Sequence, residues 1–377
     1  MKKGWEEKAV GDILQLEYGK PLDETDRKPD GRYPAYGANG EKDRTDKFYH
    51  DKPSIIVGRK GSAGEINLTE QKFWPLDVTY FVTFDESQHD LRFLYYLLTT
   101  LELTKLAKGV KPGINRNEVY SQATRVPPLA EQQRIVGVLD RAFEGLAVAA
   151  ANAEKNLKNA RELFESHLSD VFTRRGEGWV DAGRSLEELC EMIVDCEHKT
   201  APTQDLGIPS VRTPNIGRGK LLLEGVNRVS EATYKQWTKR AEPRGGDLIL
   251  AREAPAGNVA VIPLGTRLCL GQRTVLIRPR SDVFNPSFLA FLLLERGTQA
   301  RLLAHSRGAT VKHVNLKDIR ALQVGAVPCV SLQERIAELL QSLDTHAARL
   351  CGIYEQKQAA LAALKRSLLH QALNGEL

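Results

Sequence analysis

Long apolar runs are missing from this chain: nowhere in its 377 residues is there a stretch approaching the roughly 18 apolar residues of a membrane span. The opening Met-Lys-Lys-Gly-Trp-Glu-Glu is charged and no apolar run follows it, so it does not read as a leader peptide. A soluble, cytoplasmic protein with no membrane partner is the expectation. Cysteines are few, odd in number (five) and confined to the second half, which excludes a disulfide framework. Cys190, Cys196 and His198 lack a Cys-x-x-Cys pair and a fourth ligand, and read as ordinary side chains rather than a metal site. Catalytic motifs are absent too. There is no Gly-rich phosphate cradle, no His-Glu-x-x-His, no Gly-x-Ser-x-Gly, and Pro127-Pro128 lacks both flanks of an amino-methyltransferase motif. Pro29-Asp30 with Glu70-x-Lys72 is too loosely spaced for a nuclease centre. The chain reads as non-catalytic, with neither metal nor cofactor of its own.

What is present is a long helix, used twice. From Ala130 to Arg175 apolar residues recur at steps of three and four, through Ile135, Leu139, Leu146, Leu157, Phe164 and Leu168, with no proline. Such a helix is on the order of 65 Å long, more than the width of a small domain. Adding 201 maps Gln132, Arg134, Ile135, Leu139, Glu154 and Leu168 onto Gln333, Arg335, Ile336, Leu340, Glu355 and Leu369 without a gap. The second seam continues through Leu350, Leu361, Leu364 and Leu368. Paired antiparallel, the two seams would form a coiled coil; a hairpin buried in one compact domain is the alternative, against which their length counts.

Each helix follows a globular region of the same plan. Residues 1–128 open with Gly4-Trp5, pass through a turn-rich stretch from Lys20 to Gly40, and contain apparent strands at Ser54–Val57 and Val78–Phe84, then a helix from Leu91 to about Leu106 capped by Asp90. Residues 177–328 open with Gly178-Trp179, place a strand at Asp247–Leu250 and another at Arg273–Arg278, and start a helix at Asn285-Pro286. The expected architecture is α+β: globular α/β domains at 1–128 and 177–328, related by an internal pseudo-twofold repeat, and separated by two long antiparallel coiled-coil helices at 129–176 and 329–377.

Charge singles out matching places in the two globules. Between Glu102 and Glu118 the only charged residues are Lys105, Lys108, Lys111 and Arg116; between Glu295 and Asp318 they are Arg296, Arg301, Arg307, Lys312 and Lys317, with His305 and His313 nearby. Both acid-free stretches run through a glycine to an asparagine, Asn115 or Asn315. Lysine and arginine there suit phosphates, and an asparagine edge suits a base; a solvated helix end and turn is the plain alternative. Arg59-Lys60 and Arg252 follow the buried strand in each globule, where a small turn would lift a basic side chain to the surface. On the loops, Lys199 and Arg212 join the candidates for DNA contact, beside Tyr33, Tyr36, Asn39, His198, Thr200 and Asn215.

Val126-Pro-Pro-Leu-Ala-Glu-Gln-Gln-Arg-Ile135, its echo Val327-Pro-Cys-Val-Ser-Leu-Gln-Glu-Arg-Ile336 and the paired Gly-Trp starts carry a resemblance over the whole chain. It resembles the specificity subunit of type I restriction-modification systems. The second copy departs from the run at Cys329 and Leu332. The resemblance implies two target-recognition domains reading a bipartite double-stranded DNA target, with the helices fixing the half-site gap and docking two DNA methyltransferase (modification) subunits. Those partners would use S-adenosylmethionine, and an ATP-driven restriction/translocase subunit would be an optional addition. Alternatives are the recognition subunit of a related methylation or phage-defence system without a type I nuclease, and a protein-binding coiled-coil scaffold.

Overall fold

The computed structural model describes residues 4–304 and 313–377. Two compact units make up the chain: Met1–Glu154 with Gln356–Leu377, and Lys155–Glu355.

In the first unit the strand Ser54–Gly58, buried at every residue, lies between Thr79–Thr83 and Ile66–Thr69, and Gln15–Tyr18 completes an antiparallel four-stranded sheet beyond Thr79–Thr83. Its unbroken apolar run follows from cover on both faces. Ile55 and Val57 join the main core with Leu94 and Leu98, whereas Ile56 packs with Phe73 and Phe81 on the other side. Burying each such side chain contributes about 1.5–3 kcal/mol. The helix Leu91–Thr100 begins where Asp90 accepts from the Arg92 and Phe93 amides. It stops short of the expected Leu106, because Glu102 takes a left-handed φ of 47° and the chain resumes as a 3-10 turn, Leu103–Leu106. The turn-rich stretch is more ordered than its composition suggests: Tyr33–Gly37 and Gly40–Thr45 pair as a hairpin, with Trp74–Pro75 alongside in parallel. A two-stranded ladder joins Glu6–Ala9 to Ala123–Val126.

The second unit repeats this order. Cys190–Asp195, Thr274–Pro279, Leu248–Ala251 and Val259–Val261 form the antiparallel sheet, a three-stranded sheet adds Arg228–Val229, Ile208–Val211 and Cys269–Leu270, and Val180–Ser185 pairs with Gln323–Val327. Leu248 and Leu250 face one core, Ile249 and Ala251 another. Pro286 starts the helix Pro286–Leu294 under an Asn285 cap, as the sequence predicts.

The long helices span Leu129–Arg174 and Val330–Leu373. In the first unit their halves run antiparallel: Arg134 donates to the Leu377 carbonyl at 2.9 Å, and Lys365 sits 5.0 Å from the Phe143 ring centroid, so one index falls as the other rises. In the second unit Arg161 pairs with Glu355 at 2.9 Å. Ile135 and Leu139 belong to the first unit's core, as do Ala372 and Leu373. Leu168 and Leu340 belong to the second unit's. Leu146, Leu157, Phe164, Ile336, Leu361 and Leu368 are half-buried. Leu350 and Leu364 depart from the expected seam, being exposed. Among the described residues no helix is long and apolar enough to cross a membrane.

Candidate nucleic-acid interface

The basic residues of the first unit are assembled by its backbone. The buried strand ends at Gly58, where an added Cβ would lie 2.1 Å from the Ser62 carbonyl oxygen, so only glycine lets the chain turn there. Arg59 and Lys60 emerge immediately after. The Arg59 carbonyl accepts from Ile114 N–H at 3.0 Å, Gly61 N–H donates to the Pro112 carbonyl at 2.8 Å, and Lys108 bridges to Gly113. Gly64, at φ 84°, seats the same turn on the 3-10 segment, since a Cβ there would stand 2.4 Å from the Thr104 nitrogen. Arg59, Lys60, Lys105, Lys108, Lys111 and Arg116 are thereby carried on three segments that hold one another in place.

They differ in how far their charge is spent. Lys105 is paired with Glu102 and Lys108 with Glu118, both in exposed geometry worth little. Among the described residues Arg59, Lys60, Lys111 and Arg116 have no carboxylate within ion-pair distance. Instead the guanidinium carbons of Arg59 and Arg116 each lie 5.2 Å from the ring centroid of Tyr18, which is 46% exposed. The expected base-reading edge of Asn115 is partly committed: its side-chain oxygen accepts from Asn117 N–H and caps the helix Arg116–Tyr120. Tyr18 escapes the sequence reading because it closes a short strand beside Gly19, and only a strand ending in an exposed aromatic would have signalled it.

The second unit builds the same joint, with Val314 N–H donating to the Arg252 carbonyl at 2.9 Å and Glu253 bridging to His313. Arg252 is not lifted to the surface as expected. Its side chain is 11% exposed, pairs with Asp195 at 2.6 Å, donates through Nε to the Val314 carbonyl, and approaches His313 Nε2 at 3.0 Å. Because Arg252 can only donate, His313 Nε2 is the acceptor in that contact, and His313 Nδ1 lies 2.7 Å from the Glu253 carboxylate. Arg273 covers the other Glu253 oxygen. Asn315 donates to Asp318 at 3.1 Å. Lys199 and Arg212 are exposed on loops. Arg307 and Lys312, with His305, lie outside the described residues.

The three buried cysteines are muted. Burial pushes the Cys190 thiol up to about 12 and raises Cys196 and Cys269 as well. Among the described residues no group of three or more His, Cys, Asp or Glu side chains could hold a metal ion, so Cys190, Cys196 and His198 do not converge.

The family model described as "Type I restriction modification DNA specificity domain" matches twice, over residues 2–157 and 179–355. The chain is 22% identical over 356 residues to the type I restriction enzyme EcoBI specificity subunit of Escherichia coli, covering 86% of this chain and 73% of that protein. It is 23% identical over 352 residues to a putative type I restriction enzyme specificity subunit of Haemophilus influenzae, covering 86% and 87%. Among solved structures, a chain from a type I restriction-modification system described for its complex assembly and conformational transition matches with a TM-score of 0.75 at 18% identity, over 100% and 99% of the two chains. The HsdS subunit from Thermoanaerobacter tengcongensis matches at 0.59 and 19%, over 100% and 98%.

Proposed function

The chain belongs to the family of type I restriction-modification DNA specificity domains, and from that premise we propose that it is the DNA-target-recognition subunit of such a complex, with one recognition domain in each half of the repeat. It performs no chemistry and directs methyltransferase subunits to their site. The domains span 1–128 and 177–328 and the helices 129–176 and 329–377. Each domain reads one half of a bipartite double-stranded target, and the helices set the gap between half-sites and dock two modification subunits. S-adenosylmethionine is bound by those partners, and ATP by a restriction subunit where one is present.

The observation that carries this reading is the duplicated joint, in which the residue after the buried strand is tied through its carbonyl to the end of the acid-poor segment, Arg59 to Ile114 and Arg252 to Val314. In the first unit the basic segment is anchored to the end of an inner strand, which presents phosphate-binding charge on a rigid base. The test is a salt titration of the chain reconstituted with its methyltransferase subunits on duplex DNA, joined to mapping of methylated adenines in cells with and without the protein. Affinity is expected to fall steeply with salt and methylation at a bipartite sequence to depend on the chain. A flat salt response with unchanged methylation would overturn the reading in favour of a protein-binding scaffold.

A further inference from the structure

The two domains place different partners around the same arginine. Gly58 pairs with Thr79 in the first sheet, and Ala251 with Thr274 in the second. One residue further along, Tyr80 faces Tyr18 and Val275 faces Asp195. Tyr18 and Asp195 therefore occupy the same ladder position, next to the arginine that follows each buried strand. In the second unit Asp195 neutralises Arg252 at 2.6 Å. In the first, a tyrosine ring offers a face instead of a charge, and a second guanidinium, Arg116, comes to the same ring.

This arrangement lacks a counter-ion. Two cations at 5.2 Å from one centroid stand within about 10 Å of each other, a separation over which charges are only partly screened. No carboxylate among the described residues pairs with either. The Arg59 Nε is buried and has no hydrogen-bond partner among the described residues. A ring face attracts a guanidinium without accepting from all of its N–H donors, and the fork of donors left over matches the two oxygens of a phosphodiester.

We infer that Tyr18, Arg59 and Arg116 form a preassembled site for a phosphate of the DNA backbone, and that Asp195 closes the equivalent site in the second domain. This inference rests on the DNA-binding reading above. Tyr18 acts as the platform that keeps both arginines in place, and Arg252 serves the fold rather than the ligand. The two halves of the repeat thus grip DNA unequally.

The experiment measures affinity for a mixed-sequence duplex across a salt series, using the full chain in complex with its methyltransferase subunits. Arg59→Gln and Arg116→Gln are each expected to flatten the slope of log affinity against log salt by about 0.9, one phosphate contact apiece. Tyr18→Leu, which retains both charges but no ring, weakens binding, and Tyr18→Phe, which puts a ring back, recovers it. Arg252→Gln, combined with Asp195→Asn so that no charge is left unpaired, retains the wild-type slope. Unchanged slopes in both Arg59→Gln and Arg116→Gln, or an equal flattening in that double variant, would overturn the inference while leaving DNA binding intact. A wild-type complex with no salt dependence would instead remove the DNA-binding reading, and this site with it.

Discussion

Gln132 accepts a hydrogen bond from the backbone N–H of Asp90 at 2.9 Å, so the first turn of the central helix is bolted to the cap of the helix that closes the first domain's core. The same side chain donates to the carbonyls of Pro127, at 2.8 Å, and Gln88, at 3.1 Å, and is fully buried. Gln333 reproduces every element: it accepts from Asn285 N–H at 2.9 Å and donates to Pro328 and Val283 carbonyls at 2.8 Å. Replacing either glutamine by leucine strands buried backbone groups, so Gln132→Leu is expected to destabilise the first unit, and Gln333→Leu the second, by about 2–4 kcal/mol. Chemical denaturation followed by fluorescence checks this.

The Arg252–Asp195 pair provides a second prediction. Both side chains are nearly covered, at 11% and 12% exposure, so removing one leaves the other unpaired away from water. Arg252→Ala or Asp195→Ala should each cost about 3 kcal/mol in the second unit. Reversing the exposed Lys108 and Lys111 to glutamate should leave stability and methyltransferase assembly unchanged while weakening DNA binding, as thermal melting, co-purification and a binding titration would record.

Mild acid should loosen the first unit. Burial lowers the pKa of both His89, which lies under Gln132, and His50, below the ordinary 6.5. The unfolded chain then takes up the extra protons, so the stability these neutral imidazoles contribute is complete above about pH 6.5 and is lost as pH falls through their folded values. Melting of the first unit is expected earlier at pH 5.5 than at pH 7.5, and His89→Gln should shrink that difference.

If the helices fix the spacing of half-sites, lengthening them must change it. Inserting about one helical turn, four residues, after Ala153 with a matching insertion after Lys357 is expected to lengthen the permitted gap. Methylated sites that keep their original gap would refute the spacer role.

Elements with strong periodicity or caps were legible in the sequence. The central helix was expected at 130–175 and runs Leu129–Arg174, and Asn285-Pro286 marked a helix start to the residue. Glycine and proline hid the hairpin at Tyr33–Thr45, because turn residues and short edge strands share a composition. In the first unit the grouping of basic residues was legible from its acid-free stretch. Their differing engagement was not, because it depends on which residue the sheet register sets opposite: nothing local to Arg252 announces Asp195, 57 positions away, or distinguishes it from Arg59 beside Tyr18.

The first unit is built from two pieces of chain, with Ala372 and Leu373 completing a core begun at Trp5, while the second is continuous from Lys155 to Glu355. During synthesis the order of completion is therefore inverted. The domain translated first waits, with part of its apolar surface uncovered, until some 200 further residues have left the ribosome. The domain translated second has all its parts before then. A nascent chain halted before Gln356 would hold a finished second domain and an unfinished first one, making the earliest-made half the one most dependent on chaperones.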